Sequence, residues 1–319
     1  VTIMVTGASG FIGSHLLPQL VKGGRPVVRL ARSGRSAQSS PSMAGTQVAV
    51  GPSDLARIDG WREWPDRVDA LIHLAALNPV RGDSDSQDEA RLMQANVEAT
   101  HALARRAASE GVRRFIFLSS ANVHAPKRTG AISEADEPAP QDLYASSKLA
   151  AEAAVRDALA GSGTEAVILR PVPVFGRGGR GSIAALIRLA ASPAPLPIAN
   201  LHARRSLLSV EGCVEAIRLA VDAPEAADRV LLLADEPAVA LPEIVAVVRA
   251  TLGRKAHVFP GPFGMARSLA GAFGRGAALR RVLEPFVVDA SAARAALRWQ
   301  PLRPPLESIR LMVESGDVR

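Results

Sequence analysis

Val1-Thr2-Ile3-Met4-Val5-Thr6 is a short run of β-branched and apolar residues, and Gly7-Ala8-Ser9-Gly10-Phe11-Ile12-Gly13 follows it directly. Ser14-His15-Leu16-Leu17-Pro18-Gln19-Leu20-Val21 comes next, so the chain opens as strand, glycine turn and helix. Glycines three apart let the backbone turn tightly, approach a pyrophosphate and pack the helix against the strand. The helix N-terminus adds amide donors and a positive dipole. In that context Gly7, Gly10 and Gly13 predict a dinucleotide-binding α/β fold.

A second strand, Pro26 to Ala31, ends where many dinucleotide folds carry an acidic residue for the ribose hydroxyls. Here it runs into Arg32-Ser33-Gly34-Arg35. Guanidinium groups without a carboxylate suit a 2′-phosphate, which favours NADP over NAD. A third strand, Gln47 to Val50, leads to Asp54, which can hold an adenine amino group or simply cap a turn. A fourth, Ala70 to Leu74, leads to Ala75-Ala76, small enough for a close backbone approach to the cofactor. Asp88 to Glu110 reads as an alanine-rich helix, Val112 to Leu118 as a strand, and Ala166 to Arg170 as another that Pro171 ends. The fifth strand delivers Ser119-Ser120-Ala121-Asn122 at its carboxyl end, where an open α/β sheet presents ligand-contacting groups.

Tyr144 is the single tyrosine of the 319 residues, and Lys148 stands four places after it in a helix expected to run to about Leu159. That spacing puts both side chains on one helix face. Unit charges about 4 Å apart at an effective dielectric near 20 interact by roughly 4 kcal/mol, enough to bring a phenol pKa from about 10 down to about 7. A phenol so tuned exchanges protons with a sugar or alcohol oxygen. With cofactor bound, tyrosinate is therefore expected below about pH 8.5.

Thr6 to Gly13, His73 to Ala76, Ser119-Ser120, Tyr144 to Lys148, and Leu169-Arg170-Pro171 with Phe175-Gly176 together resemble the extended short-chain dehydrogenase/reductases, in particular the nucleotide-sugar epimerases, dehydratases and ketoreductases. The likeness covers nearly the whole chain. It implies a doubly wound parallel sheet, the Rossmann fold, over residues 1–170, with a returning strand near Arg229 to Leu233 within 206–236. Residues 171–205 and 237–319 would form a smaller substrate lobe. It implies Tyr144 as general acid/base, Lys148 as the group that lowers its pKa and binds the nicotinamide ribose, and Ser120 as the group that polarises the reacting oxygen. Phe11, Ile12, Leu55, Leu74 and Pro171 join the cofactor contacts. Asn122, Arg205 and Arg281 join the substrate contacts, Arg205 and Arg281 toward phosphate. A homodimer paired through the Asp88 to Glu110 helix and the Tyr144 helix is also implied.

Departures from the family pattern narrow the chemistry. Ser120-Ala121-Asn122 replaces the Thr-Asp-Glu run of 4,6-dehydratases, so the acid and base for eliminating water are missing. Pro173 and Asn78 stand where epimerases often carry asparagine and lysine. The substrate contacts of those enzymes therefore do not carry over to these two positions, while Arg32 and Ser33 favour NADPH-dependent reduction of a UDP-4-keto sugar, Tyr144 acting as acid. The alternative is a UDP-sugar 4-epimerase with tightly bound NAD. A non-catalytic redox sensor is disfavoured, because such descendants usually lose the tyrosine or the lysine.

Composition agrees. A net charge of +7 suits phosphate-rich metabolites, and no motif interleaves basic residues with aromatics as nucleic-acid binders do. One cysteine, Cys213, excludes an internal disulfide, and the six histidines show no metal-ligand spacing. No apolar run reaches membrane-spanning length and the chain begins in a strand, so a cytoplasmic enzyme is expected. The basic, glycine-broken stretch from Phe263 to Phe286 is expected to serve the substrate lobe or a lid.

Overall fold

The computed structural model describes residues 2–32, 45–78, 88–127, 129–179, 182–261 and 284–316. Strands β1 (Thr2–Thr6), β2 (Val27–Arg32), β3 (Thr46–Gly51), β4 (Val68–His73), β5 (Arg114–Leu118) and β6 (Glu165–Pro171) form with β10 (Arg229–Leu233) one sheet, ordered β10-β6-β5-β4-β1-β2-β3. Every pairing is parallel. Parallel strands need covered faces, which is why β1, β4, β5 and β6 read as near-continuous apolar runs rather than alternating ones. The chain winds outward from β1 to β3, then returns to β4 beside β1 and winds the other way. The carboxyl ends of β1 and β4 therefore flank a topological switch point, where such sheets bind ligands.

Each face carries its own apolar cluster. One joins Ile3, Val5, Ile72 and Ile116 to α1 (Phe11–Lys22), and extends to Phe286, Val288, Leu297 and the fully buried Trp299. The other joins Met4, Leu71, Phe115 and Phe117 to Leu103 and Val155. A third cluster, with Phe175, Ile187, Val245, Val248 and Ile309, lies apart from the sheet. Near it run two short pairings, β7 (Val174–Phe175) with β9 (Leu208–Ser209) and β8 (Arg204–Arg205) with β11 (Val239–Ala240).

The predicted Asp88–Glu110 helix is unbroken but not uniform in its winding. Asp88 caps α2 (Glu89–Met93) by accepting from the Arg91 N–H at 3.0 Å, a π-turn occupies Gln94–Glu98, and α3 (Ala99–Ser109) completes the element. α4 (Leu143–Leu159) ends where expected and is capped by Asp142, whose carboxylate accepts from the Ala145 N–H at 2.7 Å. Among the described residues no helix is long and apolar enough to cross a membrane.

Candidate functional site

The glycine turn is built as its spacing requires. Gly7 has φ 67°, and a Cβ there would lie 2.6 Å from the Ala75 nitrogen, so the turn and the segment after β4 touch backbone to backbone. A Cβ on Gly13 would lie 2.4 Å from the Gly7 carbonyl oxygen, which ties α1 to the end of β1. Exposed Gly10 is the N-cap of α1, with no side-chain cap and no acidic residue in the first turn. The helix therefore keeps free amide donors and an uncompensated positive end, which fits a pyrophosphate. Phe11, Ile12, Leu74 and Ala75 are half-buried around this turn, and Ala76 is exposed.

Behind the switch point lies a neutral hydrogen-bonded chain that sequence reasoning did not find. Thr100 Oγ1 donates to the Asn96 carbonyl at 2.6 Å, so toward His73 Nε2, 2.9 Å away, it must accept. His73 is then protonated on Nε2, and Nδ1 accepts from Thr6 Oγ1 at 2.6 Å. Burial, seconded by the Lys148 cation, pulls His73 down to about 3, so the ring is neutral at physiological pH. Buried Asn96, in the π-turn, accepts from the Leu77 N–H at 2.7 Å and donates to the Leu77 carbonyl and to Ser147 Oγ, both at 3.0 Å. Ser147 Oγ in turn donates to the Tyr144 carbonyl at 2.8 Å. The loop after β4 and the helix bearing Tyr144 are thereby joined.

Tyr144 and Lys148 share one face of α4, as their spacing implies, but the electrostatics differ from expectation. Burial, seconded by the Asp142 carboxylate, pushes the half-buried phenol up to about 12. Burial also brings Lys148 down to about 7, with Glu152 opposing, so near neutral pH the amine is only partly charged. Its Nζ lies 4.1 Å from the centroid of the Phe117 ring, a favourable place for an ammonium, and His73 stacks on Phe117 at 5.8 Å. In the protein alone the lysine thus does not acidify the tyrosine. Desolvation outweighs an attraction that the helical spacing made plausible.

Buried Ser120 follows β5 and accepts from the Asn122 N–H at 3.2 Å, capping the turn Ala121–Val123, while Asn122 is exposed. Beneath them Glu152 and Arg170 form a buried ion pair, 2.6 Å between Oε2 and Nη2. Asp54 is a cap, accepting from the Ala56 N–H and from Gln94 Nε2, each at 3.0 Å. Leu55 is buried under it and Pro171 is buried as the last residue of β6. Half-buried Arg205, on β8, donates to the Glu284 carbonyl at 3.0 Å. Arg32 closes β2, whereas Ser33 and Arg281, like most of the 263–286 stretch, lie outside the described residues.

Residues 3–233 match the family model described as the NAD dependent epimerase/dehydratase family. A UDP-glucose 4-epimerase of Vibrio cholerae is 29% identical over 308 residues, 94% of this chain and 90% of that protein. Among solved structures, MoeE5 in complex with UDP-glucose and NAD superposes with a TM-score of 0.76 at 24% identity, covering 99% of this chain and 98% of that one. RMD from Pseudomonas aeruginosa complexed with NADPH gives 0.73 at 22%, covering 99% and 98%. These structures share the fold.

Proposed function

Because the chain belongs to the NAD dependent epimerase/dehydratase family, whose members include nucleotide-sugar enzymes, we propose that it is a UDP-hexose 4-epimerase with NAD held at the glycine turn. The observation that carries this reading is the end-to-end likeness to the Vibrio cholerae UDP-glucose 4-epimerase. It reverses the preference for a 4-ketoreductase drawn from Arg32 and Ser33. The glycine turn and the Tyr144–Lys148 pair serve either reaction, and the relative matched end to end carries an epimerase's name.

In this reading the backbone of Gly7, Gly10 and Gly13 and the free end of α1 hold the pyrophosphate. Phe11, Ile12, Asp54, Leu55, Leu74, Ala75, Ala76 and Pro171 line the rest of the dinucleotide site. When bound, NAD supplies a hydride acceptor and a positively charged ring. Tyr144 takes the proton of the C4 hydroxyl and later returns it, Lys148 holds the phenol and the ribose, and Ser120 donates to the reacting oxygen. Asn122 contacts the sugar, and Arg205 meets its diphosphate with a planar fork of donors. A phenol at about 12 is a resting proton donor, so its work as a base requires added positive charge beside it. The same reading includes a cytoplasmic homodimer paired across α3 and α4, and a substrate lobe built around the third apolar cluster.

Incubation of the purified protein with UDP-glucose, followed by proton NMR, is expected to yield a UDP-glucose/UDP-galactose mixture without added nicotinamide. Acid release should free NAD(H) from the protein. Tyr144→Phe should lower kcat by about 10²–10⁴-fold. The basic end of β2 and the NADPH-bound neighbour favour the second reading, reduction of a UDP-4-keto sugar. Stoichiometric NADPH oxidation with a UDP-4-keto-6-deoxy sugar, and no epimerisation, would establish that one instead.

A further inference from the structure

Tyr144, Lys148 and Glu152 follow one another at four-residue intervals along α4, so all three line one face of the helix. The first two belong to the candidate site, and the third is fully buried below it. Glu152 Oε1 accepts from Ser119 Oγ and from Arg170 Nε, the latter at 2.9 Å, and Oε2 accepts from Arg170 Nη2 at 2.6 Å. Arg170 Nη1 then reaches His124 Nε2 at 2.9 Å. A guanidinium only donates, so Nε2 must present its lone pair and the ring proton sits on Nδ1. His124 is accordingly neutral, and burial together with the Arg170 charge lowers its pKa.

Ser119 and His124 are the two ends of one loop. Between them lie Ser120, the turn Ala121–Val123 and exposed Asn122. A single buried ion pair on α4 and β6 therefore grips both ends of the segment that presents Ser120 and Asn122. Backbone bonds hold the loop at two points, Ser119 N–H to the Leu169 carbonyl and Ala139 N–H to the Val123 carbonyl, both at 2.8 Å, and the side-chain bonds add a hold at each end.

We propose that Glu152, extended by Arg170, is a positioning residue of the active site: it fixes the loop 119–124 against the helix that carries Tyr144 and Lys148. The catalytic consequence rests on the epimerase reading; the grip on the loop does not. Stability alone does not require the pair. A buried ion pair replaced as a whole by apolar residues of similar volume commonly leaves stability unchanged or improved, whereas directional donors set a position that apolar contacts leave loose. Small displacements of a reacting group are costly, since a shift of about 1 Å can reduce turnover about 10²-fold.

The test is the double variant Glu152→Met with Arg170→Met, which removes both charges and strands neither. Thermal stability, retained NAD, kinetics with UDP-glucose and amide exchange at residues 119–124 are measured on the holoenzyme. The expected result is a stable, NAD-containing protein with little change in KM, kcat lowered about 10-fold or more, and faster exchange at Asn122, Val123 and His124. A folded double variant with wild-type kcat and wild-type exchange overturns the proposal. If that variant does not fold, His124→Phe and His124→Gln decide. Phenylalanine removes the acceptor for Arg170 and glutamine restores one, so kcat should fall with the first and recover with the second; equal kcat in both overturns the proposal. A wild-type protein inert toward UDP-glucose would sink only the epimerase reading, and exchange at 119–124 would still decide whether Glu152 and Arg170 hold the loop.

Discussion

Two networks brace α4 from opposite halves of the sheet, and they are made of different material. On the β1–β4 side, Thr6, His73, Thr100, Asn96 and Ser147 pass hydrogen bonds through neutral groups. On the β5–β6 side, Ser119, Glu152, Arg170 and His124 are organised by full charges. Each contains a histidine held neutral mainly by burial, with a neighbouring cation as the second cause: Lys148 for His73 and Arg170 for His124. The contrast teaches where each half is fragile. A neutral chain loses one member at the cost of a hydrogen bond, whereas an ion pair that loses one member leaves a charge stranded in the interior.

The largest effect should come from stranding that charge. Arg170→Met alone is expected to cost about 3–5 kcal/mol in denaturant unfolding at neutral pH. A cost near that of an ordinary hydrogen bond would erase the distinction between the two halves. Acid should expose the neutral side next. His73 binds its proton at 6.5 when unfolded and at about 3 when folded, so the unfolded state gains protons first and stability falls as pH drops through that window. Between pH 6.5 and about pH 4 the loss attributable to His73 is about 3 kcal/mol, and His73→Gln should flatten that part of the profile. At neutral pH, His73→Leu should cost only about 1–3 kcal/mol, because Thr100 keeps its bond to the Asn96 carbonyl. The smallest change sharpens the picture at the top of α4. Asp142→Asn retains a cap, shifts stability by less than about 0.5 kcal/mol, and moves the titration of the single tyrosine below about 12, read by ultraviolet difference spectra.

Much of the fold could be read before any coordinates because its signals are local. β-branched runs marked the sheet strands to within a few residues, and glycine spacing marked the turn whose contacts Gly7 and Gly13 now account for. The helix bearing Tyr144 was given its correct end, and its four-residue rule, continued one more step, would have reached Glu152. Other features depend on what surrounds a residue rather than on what precedes it. Spacing placed Lys148 beside Tyr144 but carried no information on desolvation, which decides the direction of both pKa values. Asp54 could be an adenine ligand or a cap on equal grounds, and nothing local announced the bonds it accepts from Ala56 and Gln94. Asn96 was illegible because its partners, Leu77 and Ser147, lie 19 and 51 residues away.

The π-turn at Gln94–Glu98 makes the length of its helix a matter of phase. One surplus residue in a turn rotates everything after it by about 100° relative to everything before it. Shortening the segment by one residue would still leave a good helix, yet it would swing Asn96 out of line with Thr100 or with Leu77. Insertions and deletions that the outer loops absorb freely should therefore be forbidden here. The element behaves less like a strut of adjustable length than like a key cut to one lock.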